Sequence, residues 1–589
     1  MQSRVKVNSP PALHVPYTRQ SRWIIAPAEE LNGGSISWNE ICGSACIARL
    51  LMRKSFANAE EVQNFLRPRL KTLADPFLLP QMEKAVERIL QALDRHERVV
   101  LFGDYDVDGV TSLALLSEML RAYPATAGPE LFLPMRMEEG YGLSRESIER
   151  CLEQHKPQLL IAVDCGTSSA AEIVDLRKRG VDVIVLDHHE PRGRGALPDC
   201  VAIVNPKIDP HSPFHYLCSV GIVFKLCHAL LKKRPLEDFD LKSKLDLVAL
   251  GTVADIVPLR GENRTFVQHG SREIARSTRP GLRKLMEVSG VRPPIFAEDI
   301  GFRLGPRLNA AGRLSTAEKS LLLLLTQDEG EAAELAEFLD KKNRERQEVE
   351  KQIFLAAEEK IASEFESTRD AAIVVSARGW HPGVLGIVAS RLARKYHRPA
   401  IVIGFDESGI GKGSGRSIEG FNLVKALDRC AEHLEKFGGH EMAAGLTIRE
   451  DKIDMFINVF RRAARELLSD DDLQPRLQLD HELELSELNV DLLHWHEMLQ
   501  PFGNANRQPL FFARKVEPVA PPRVIKEKHL ILRLRQRDSQ RRAVFFDGAA
   551  EQLPSAPWDI AFRIRADNYE GETLVGIQIQ ALRQSAPID

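Results

Sequence analysis

The sequence contains no C-x-x-C pair. Its eight cysteines, Cys42, Cys46, Cys151, Cys165, Cys200, Cys218, Cys227 and Cys430, are scattered along 589 residues. A zinc finger or a disulfide framework needs tighter clustering, so reduced, mostly buried thiols are expected. No apolar run approaches the ~20 residues that a membrane-spanning helix requires. The opening stretch MQSRVKVNSPPALHV lacks the apolar core of a secretory signal, and a cytoplasmic protein with no membrane association is expected. An excess of either charge is also missing. With a formal net charge of −3, any affinity for nucleic acid must come from local basic patches, since an acidic centre and a basic groove cancel in the sum. No Walker A motif is present, which removes the commonest phosphate loop.

What is there is a soluble globular composition, 43% hydrophobic and 28% charged. The length suggests roughly three or four domains. Residues 1–80 form an N-terminal extension, partly helical and rich in proline near its start. From residue 82, MEKAVERILQALDRHERVV predicts an amphipathic helix leading into a buried strand. Apolar runs then alternate with helical patterns: VVLFGD (99–104), LLIAVD (159–164), VDVIVLD (181–187) and VAIVNP (201–206). That alternation predicts β-α-β units and a parallel sheet with helices on both faces. Three of the runs end in aspartate, at Asp104, Asp164 and Asp187. Ligands of open α/β sheets bind beyond the carboxyl ends of the strands, so these carboxylates mark the expected site edge.

Residues 327–366 are charge-rich and lack glycine and proline after Gly330, which predicts a long helix. Its apolar stripe is interrupted, favouring a domain-bridging helix over a coiled coil. A second α/β pattern follows, with AAIVVSA (371–377), a helix near 383–396 and PAIVIGF (399–405). Beyond a polar stretch at Ser469–Pro475, the runs HLILRLRQR (529–537), RAVFFDG (542–548) and DIAFRIRAD (559–567) predict a small β-barrel, in keeping with an OB-fold.

The strongest local feature is GDYDVDG (103–109), with Asp104, Asp106 and Asp108 at alternate positions after a strand and before a helix. An EF-hand loop would need Glu at its twelfth position, where Leu115 stands, and a helix in front of it. Helix capping and turn chemistry explain one or two of the three carboxylates. Three together repel unless cations neutralise them. LDHHE (186–190) places Asp187, His188 and His189 at another strand end, and Asp255 lies in ALGTVADIVPL. Mixed Asp and His ligands suit Mn²⁺ or Mg²⁺. There are donors for two ions, with Asp164 as the bridge, and such a pair, ~3.5–4 Å apart, serves phosphoester hydrolysis.

In order and spacing, GDYDVDG, VDCGTSS, DHH and GTVADIVPL resemble the four motifs of the DHH phosphoesterase superfamily. The resemblance implies that Asp104, Asp106 and Asp164 hold one ion. Asp108, Asp164, His188 and Asp255 would hold the other. His189 would face the scissile phosphate, with Asp187 orienting a histidine. Many superfamily members carry His where this chain has Phe102, leaving Asp104 as the substitute ligand, as in RecJ-like members.

Downstream, GFRLGPRLNAAGRLS (301–315) offers Arg307, Asn309 and Arg313 among small residues, suggesting close backbone approach to an anion. GWHPGVLGIVASRL (379–392), GKGSGRSIEGFNL (411–423) and FGGHEMAAG (437–445) are read as Gly-rich turns whose backbone N–H groups near Ser414, Arg416 and Ser417 cradle phosphate. In order they resemble the DHH-associated substrate-binding domain. That likeness implies that Arg136, Ser414 and Arg416 read the terminal phosphate while His381 and His440 line the cleft.

NFLRPRLKTLADPFLLPQMEKAVERI (64–89) and the C-terminal region resemble the RecJ-like branch of the superfamily. In that region Arg533, Arg535 and Arg537 share one predicted strand face, with Lys526 and Lys528 nearby. A solvated face is the competing reading; a groove tracking single strands fits an OB-fold better. The expected organisation is an extension (1–80), a DHH catalytic domain (81–326), a connecting helix (327–366), a DHH-associated domain (367–470) and an OB-like domain (471–589). The implied activity is 5′→3′ exonucleolytic hydrolysis of single-stranded DNA, with two Mn²⁺ or Mg²⁺ ions, in repair and recombination. A single-strand-binding protein and a helicase are the implied partners of a monomer. Alternatives are a phosphodiesterase for short oligonucleotides, RNA or cyclic dinucleotides, and a replication scaffold with a degenerate site.

Overall fold

Five short strands, each bounded by a helix or turn, build the first sheet in the computed structural model. The structure describes residues 21–27, 36–124, 128–135, 139, 142–191, 197–314, 316–366, 369–550, 552–569 and 572–586. The chain divides into two compact units. One gathers Gln63–Arg344 with Leu499–Gln508; the other contains Glu345–Met498 and Pro509–Asp589.

In the first unit, β1 (Val99–Gly103), β2 (Glu130–Phe132), β3 (Leu159–Val163), β4 (Asp182–Leu186) and β5 (Ala202–Val204) form an all-parallel sheet of order β2-β1-β3-β4-β5. Every residue of β1 and β3 is buried, because apolar side chains cover both faces of the sheet. This explains why the strands read as continuous hydrophobic runs instead of alternating ones. β2 was not expected. With three residues in PELFLP, it is too short to show a period, yet Phe132 stacks on Phe102 of β1 at 5.1 Å. The order reverses between β1 and β3, and that switch point is where ligands of open sheets bind.

The predicted bridging helix is α5 (Glu329–Glu364). Its Leu335, Ala336 and Leu339 join the core of the first unit, and Ile353, Phe354, Ala357 and Ile361 that of the second. In the second unit, β6 (Ile373–Arg378), β7 (Ala400–Phe405), β8 (Ile410–Arg416), β9 (Lys436–His440) and β10 (Ala443–Arg449) form a mixed sheet of order β9-β10-β8-β7-β6.

Here the Gly-rich turn reading fails. GKGSGR is the central strand β8, and FGGH is β9. A Cβ at Gly413 would stand 2.7 Å from Leu446 Cδ1 and 2.9 Å from Ile403 Cγ1, so the glycines let neighbouring side chains cross the strand. Flanked by β7 and β10, β8 uses its backbone in sheet ladders and offers no amide cradle.

The C-terminal strands β11 (Phe511–Pro518), β12 (His529–Gln536), β13 (Ser539–Phe545), β14 (Trp558–Tyr569) and β15 (Glu572–Gln584) pair in the order β11-β14-β15-β13-β12. β12 returns to β11 through Glu517↔Arg535 and Pro518↔Leu534, closing a five-stranded barrel of OB type. Among the described residues, no helix is long and apolar enough to cross a membrane.

Candidate metal centre

Parallel register brings the strand-end carboxylates together. Gly103 pairs with Val163, and Val163 with Leu186, so Asp104, Asp164 and Asp187 leave adjacent strands at one level. Asp106 caps α1 (Val107–Arg121), its Oδ1 accepting the N–H of Asp108 at 2.8 Å and of Gly109 at 3.1 Å. A Cβ on Gly109 would lie 2.4 Å from the Asp104 carbonyl oxygen; only glycine permits this turn.

Asp108, in the first turn of α1, is buried against the start of α2 (Ser219–Lys233). The N–H groups of Ser219 and Val220 donate to its Oδ2 and Oδ1 at 2.7 and 2.9 Å. Asp164 adopts the left-handed region at φ 64°, and its Oδ1 accepts the Ser219 hydroxyl at 2.8 Å. Asp255 ends α3 (Leu245–Ala254). Gly251 allows that helix to close on α1, since a Cβ there would stand 2.5 Å from Thr111 Oγ1.

His188 Nε2 lies 3.4 Å from Asp164 Oδ1, 3.5 Å from Asp255 Oδ2 and 3.8 Å from Asp108 Oδ2. Donor atoms of Asp104, Asp106 and Asp164 form a second group within 4.8 Å of one another, so Asp164 is common to both. Burial pushes His188 down to about 3, keeping its imidazole neutral. Burial, then the neighbouring Asp106, raises Asp108 to about 7. Asp164 and Asp255 are raised well above the usual carboxylate range by burial and then by Asp108. Asp187 behaves oppositely. Burial works to raise it, but the hydrogen bond and charge of His189 outweigh that and hold it low.

This donor set fits divalent cations. His188 Nε2 and Asp255 Oδ2 are buried without a hydrogen-bond partner among the described residues. Oxygen donors around one hard cation at about 2.1 Å stand about 3–4 Å from each other, which brackets the spacings around His188. A cation also removes the repulsion that pushes the carboxylates up. Cys218 falls in a group with Asp108 and Asp255, but burial and then the Asp108 charge push its thiol well up, so it is a neutral neighbour and not a thiolate ligand.

Asp187 Oδ1 accepts the N–H groups of His188 (2.8 Å) and His189 (3.1 Å) and lies 2.7 Å from His189 Nδ1. Its Oδ2 accepts Thr167 N–H at 3.0 Å, while Asn205 Nδ2 donates to Thr167 Oγ1 and to the His189 carbonyl, both at 2.9 Å. Sequence reasoning missed Ser219, Thr167 and Asn205. Thr167 lies inside VDCGTSS, whereas CSVG at 218–221 carries no local signal.

Arg136 lies outside the described residues. On α4 (Gly305–Leu314), Arg307 is committed to Asp340 at 2.9 Å and to the Arg303 carbonyl at 2.6 Å. The Gly/Ala-rich stretch is therefore helical. Asn309 Oδ1 accepts Val107 N–H at 3.2 Å, and Arg313 is half-buried on the same helix. In the second unit, His381 caps α6 (Pro382–Tyr396), its Nδ1 accepting Gly383 N–H at 3.1 Å. Arg416 donates to Ser414 Oγ at 3.1 Å, and a Cβ on Gly386 would stand 2.9 Å from Arg416 Nη2, so α6 and β8 meet there. Ser417 donates to the Phe421 carbonyl at 2.6 Å, and His440 is exposed at the end of β9.

On the barrel, Arg533 and Arg535 point to solvent from β12, Arg535 pairing with Glu517 at 2.9 Å. Arg537 does not share their strand face. It sits in the following turn at φ 52°, paired with Glu484 at 3.0 Å. Lys526 and Lys528 occupy the turn before β12.

The DHH family N-terminal domain matches residues 98–252, the DHHA1 domain residues 370–466 and the RecJ OB domain residues 479–581. The chain is similar to the single-stranded-DNA-specific exonuclease RecJ of Dickeya dadantii, with 36% identity over 567 residues, covering 91% of this chain and 96% of that one. The corresponding exonuclease of Bacillus subtilis is 39% identical over 466 residues, covering 79% of this chain and 58% of its own length. Among solved structures, RecJ from Thermus thermophilus with Mn²⁺ superposes with a TM-score of 0.81 at 29% identity, covering 97% of this chain and 80% of that one. Its Mg²⁺ complex gives 0.75 at 26% identity, covering 96% and 79%.

Proposed function

The chain belongs to the RecJ family of DHH phosphoesterases, and from that premise we propose a single-strand-specific exodeoxyribonuclease that works from the 5′ end, releases 5′-nucleotides and serves DNA repair and recombination. The observation that carries this reading is the shared Asp164, with carboxylates on either side and buried, unsatisfied donor atoms on His188 and Asp255. We assign Asp104, Asp106 and Asp164 to one Mn²⁺ or Mg²⁺ ion, and Asp108, Asp164, His188 and Asp255 to the other. When bound, the ions supply charge neutralisation at the phosphate and activation of water. Asp187 holds the His189 Nδ1 proton, which leaves Nε2 to give its proton to the leaving oxygen.

Arg136, Arg313, Ser414, Arg416, His381 and His440 are proposed to read the substrate's phosphates. Arg307, Asn309 and Ser417 act indirectly in this account, because their polar groups already hold Asp340, Val107 and Phe421. Lys526, Lys528, Arg533 and Arg535 would track the strand on the barrel, with Arg537 at the turn. The expected domain limits are carried forward with this reading: 81–326 for catalysis, 327–366 for the connecting helix, 367–470 for phosphate recognition and 471–589 for the strand, after an extension at 1–80. So are a cytoplasmic monomer and partnership with a helicase and a single-strand-binding protein.

The test uses single strands labelled at either end, a duplex and a dinucleotide, each with Mn²⁺ and with EDTA. Early release of the 5′ label from single strands alone is expected. Preference for the dinucleotide, or early release of the 3′ label, overturns the proposal.

A further inference from the structure

Asp255 is followed by a residue in an unusual conformation. Ile256 has φ 60°, in the left-handed region, and its side chain is 71% exposed. It occupies the position after the helix cap where glycine is favoured, and for a β-branched residue such a backbone is a true outlier. Exposed in this way, the isoleucine has no packing to offset the strain, so the backbone must be held by something else.

The holding group comes from far along the chain. Asn504 Nδ2 donates to the Ile256 carbonyl at 2.7 Å, and the Asn504 carbonyl accepts Leu259 N–H at 2.8 Å. One residue thus grips the loop after Asp255 at both ends. Gly503 permits the approach, since a Cβ there would stand 2.7 Å from Leu259 Cδ1. Asn263 Nδ2 steadies the middle of the loop through the Pro258 carbonyl at 3.1 Å.

We propose that Asn504 is a positioning residue for the metal centre: by locking Ile256 in the left-handed region it fixes where α3 ends, and so where the Asp255 carboxylate stands relative to His188. This rests on the metal-centre reading above. An outer partner of a ligand is commonly worth 10- to 100-fold in metal affinity.

The test is Mn²⁺ binding by calorimetry on the full chain, without substrate. Asn504→Ala should weaken binding about tenfold at one site and spare the other. Adding Ile256→Gly should restore it, because glycine adopts the left-handed region without the clamp. A purely structural loss would not be rescued by a glycine. Should Asn504→Ala fold poorly by circular dichroism, Asn504→Leu keeps the size, removes the donor without adding a charge and should show the same loss. Unchanged affinity in the folded variant, or no rescue by Ile256→Gly, overturns the clamp. Failure of the unaltered chain to bind Mn²⁺ would instead defeat the metal-centre reading on which it rests.

Discussion

His189 Nδ1 lies 2.7 Å from Asp187 Oδ1, and that same oxygen accepts the backbone N–H groups of both His188 and His189. One carboxylate therefore fixes the backbone of both histidines and orients the His189 imidazole. It also raises His189 against the effect of burial. Asp187→Asn keeps the two backbone contacts at Oδ1, gives up the Thr167 contact at Oδ2 and removes the charge. The expected result is a fall in kcat of about 10- to 100-fold with Mn²⁺ affinity unchanged. Since His189 must be protonated to act as an acid, the alkaline fall in rate should begin at lower pH in the variant. An unshifted pH profile contradicts the role given to His189.

Metal binding should tighten as pH rises. Without cations, Asp108 holds its proton up to about 7, and Asp164 and Asp255 are raised as well, so binding must displace protons. In the cation-free fold these three bind more protons than in the unfolded chain, and their contribution to stability is lost as pH rises through their folded values. His188 runs the other way: lowered to about 3, it favours the fold as pH rises towards its ordinary value, and it releases no proton to the metal. Calorimetry in buffers of different ionisation enthalpy should show proton release and a rise in melting temperature with Mn²⁺ that is larger at pH 8 than at pH 5.5. A pH-independent affinity contradicts the assignment.

Stability of the first unit should depend on a buried ion pair. Lys225 is fully buried, its Nζ 2.9 Å from Glu262 Oε2 and donating to the Ala74 carbonyl at 2.7 Å. Lys225→Met leaves the Glu262 charge buried without its partner and should cost about 3–5 kcal/mol. Lys225→Met combined with Glu262→Gln should recover part of that loss in urea denaturation. A single-variant effect below about 1 kcal/mol contradicts the pairing.

The site was legible in part because a parallel sheet buried on both faces writes its strands as apolar runs, and its ligand edge falls where those runs end. Asp104, Asp164 and Asp187 could be located from that rule alone. Phe102 stands where many superfamily members have histidine; the structure buries it against Phe132, leaving Asp104 as the available donor. What the sequence hid are contacts between distant segments. Ser219 meets Asp164 across 55 positions, and Asn504 reaches Ile256 across 248; neither has a local pattern. The Gly-rich strands β8 and β9 misled for a different reason: glycine marks turns by its freedom, but here it marks close packing between strands.

Asp164 is proposed to join two cation sites. Mn²⁺ titration of the unaltered chain at pH 8, set beside Asp164→Ala, tests it directly. Two ions bound per chain are expected, and in the variant the loss of both, with the fold retained by circular dichroism and no hydrolysis of single strands. Two ions bound with unchanged affinity to Asp164→Ala would contradict it.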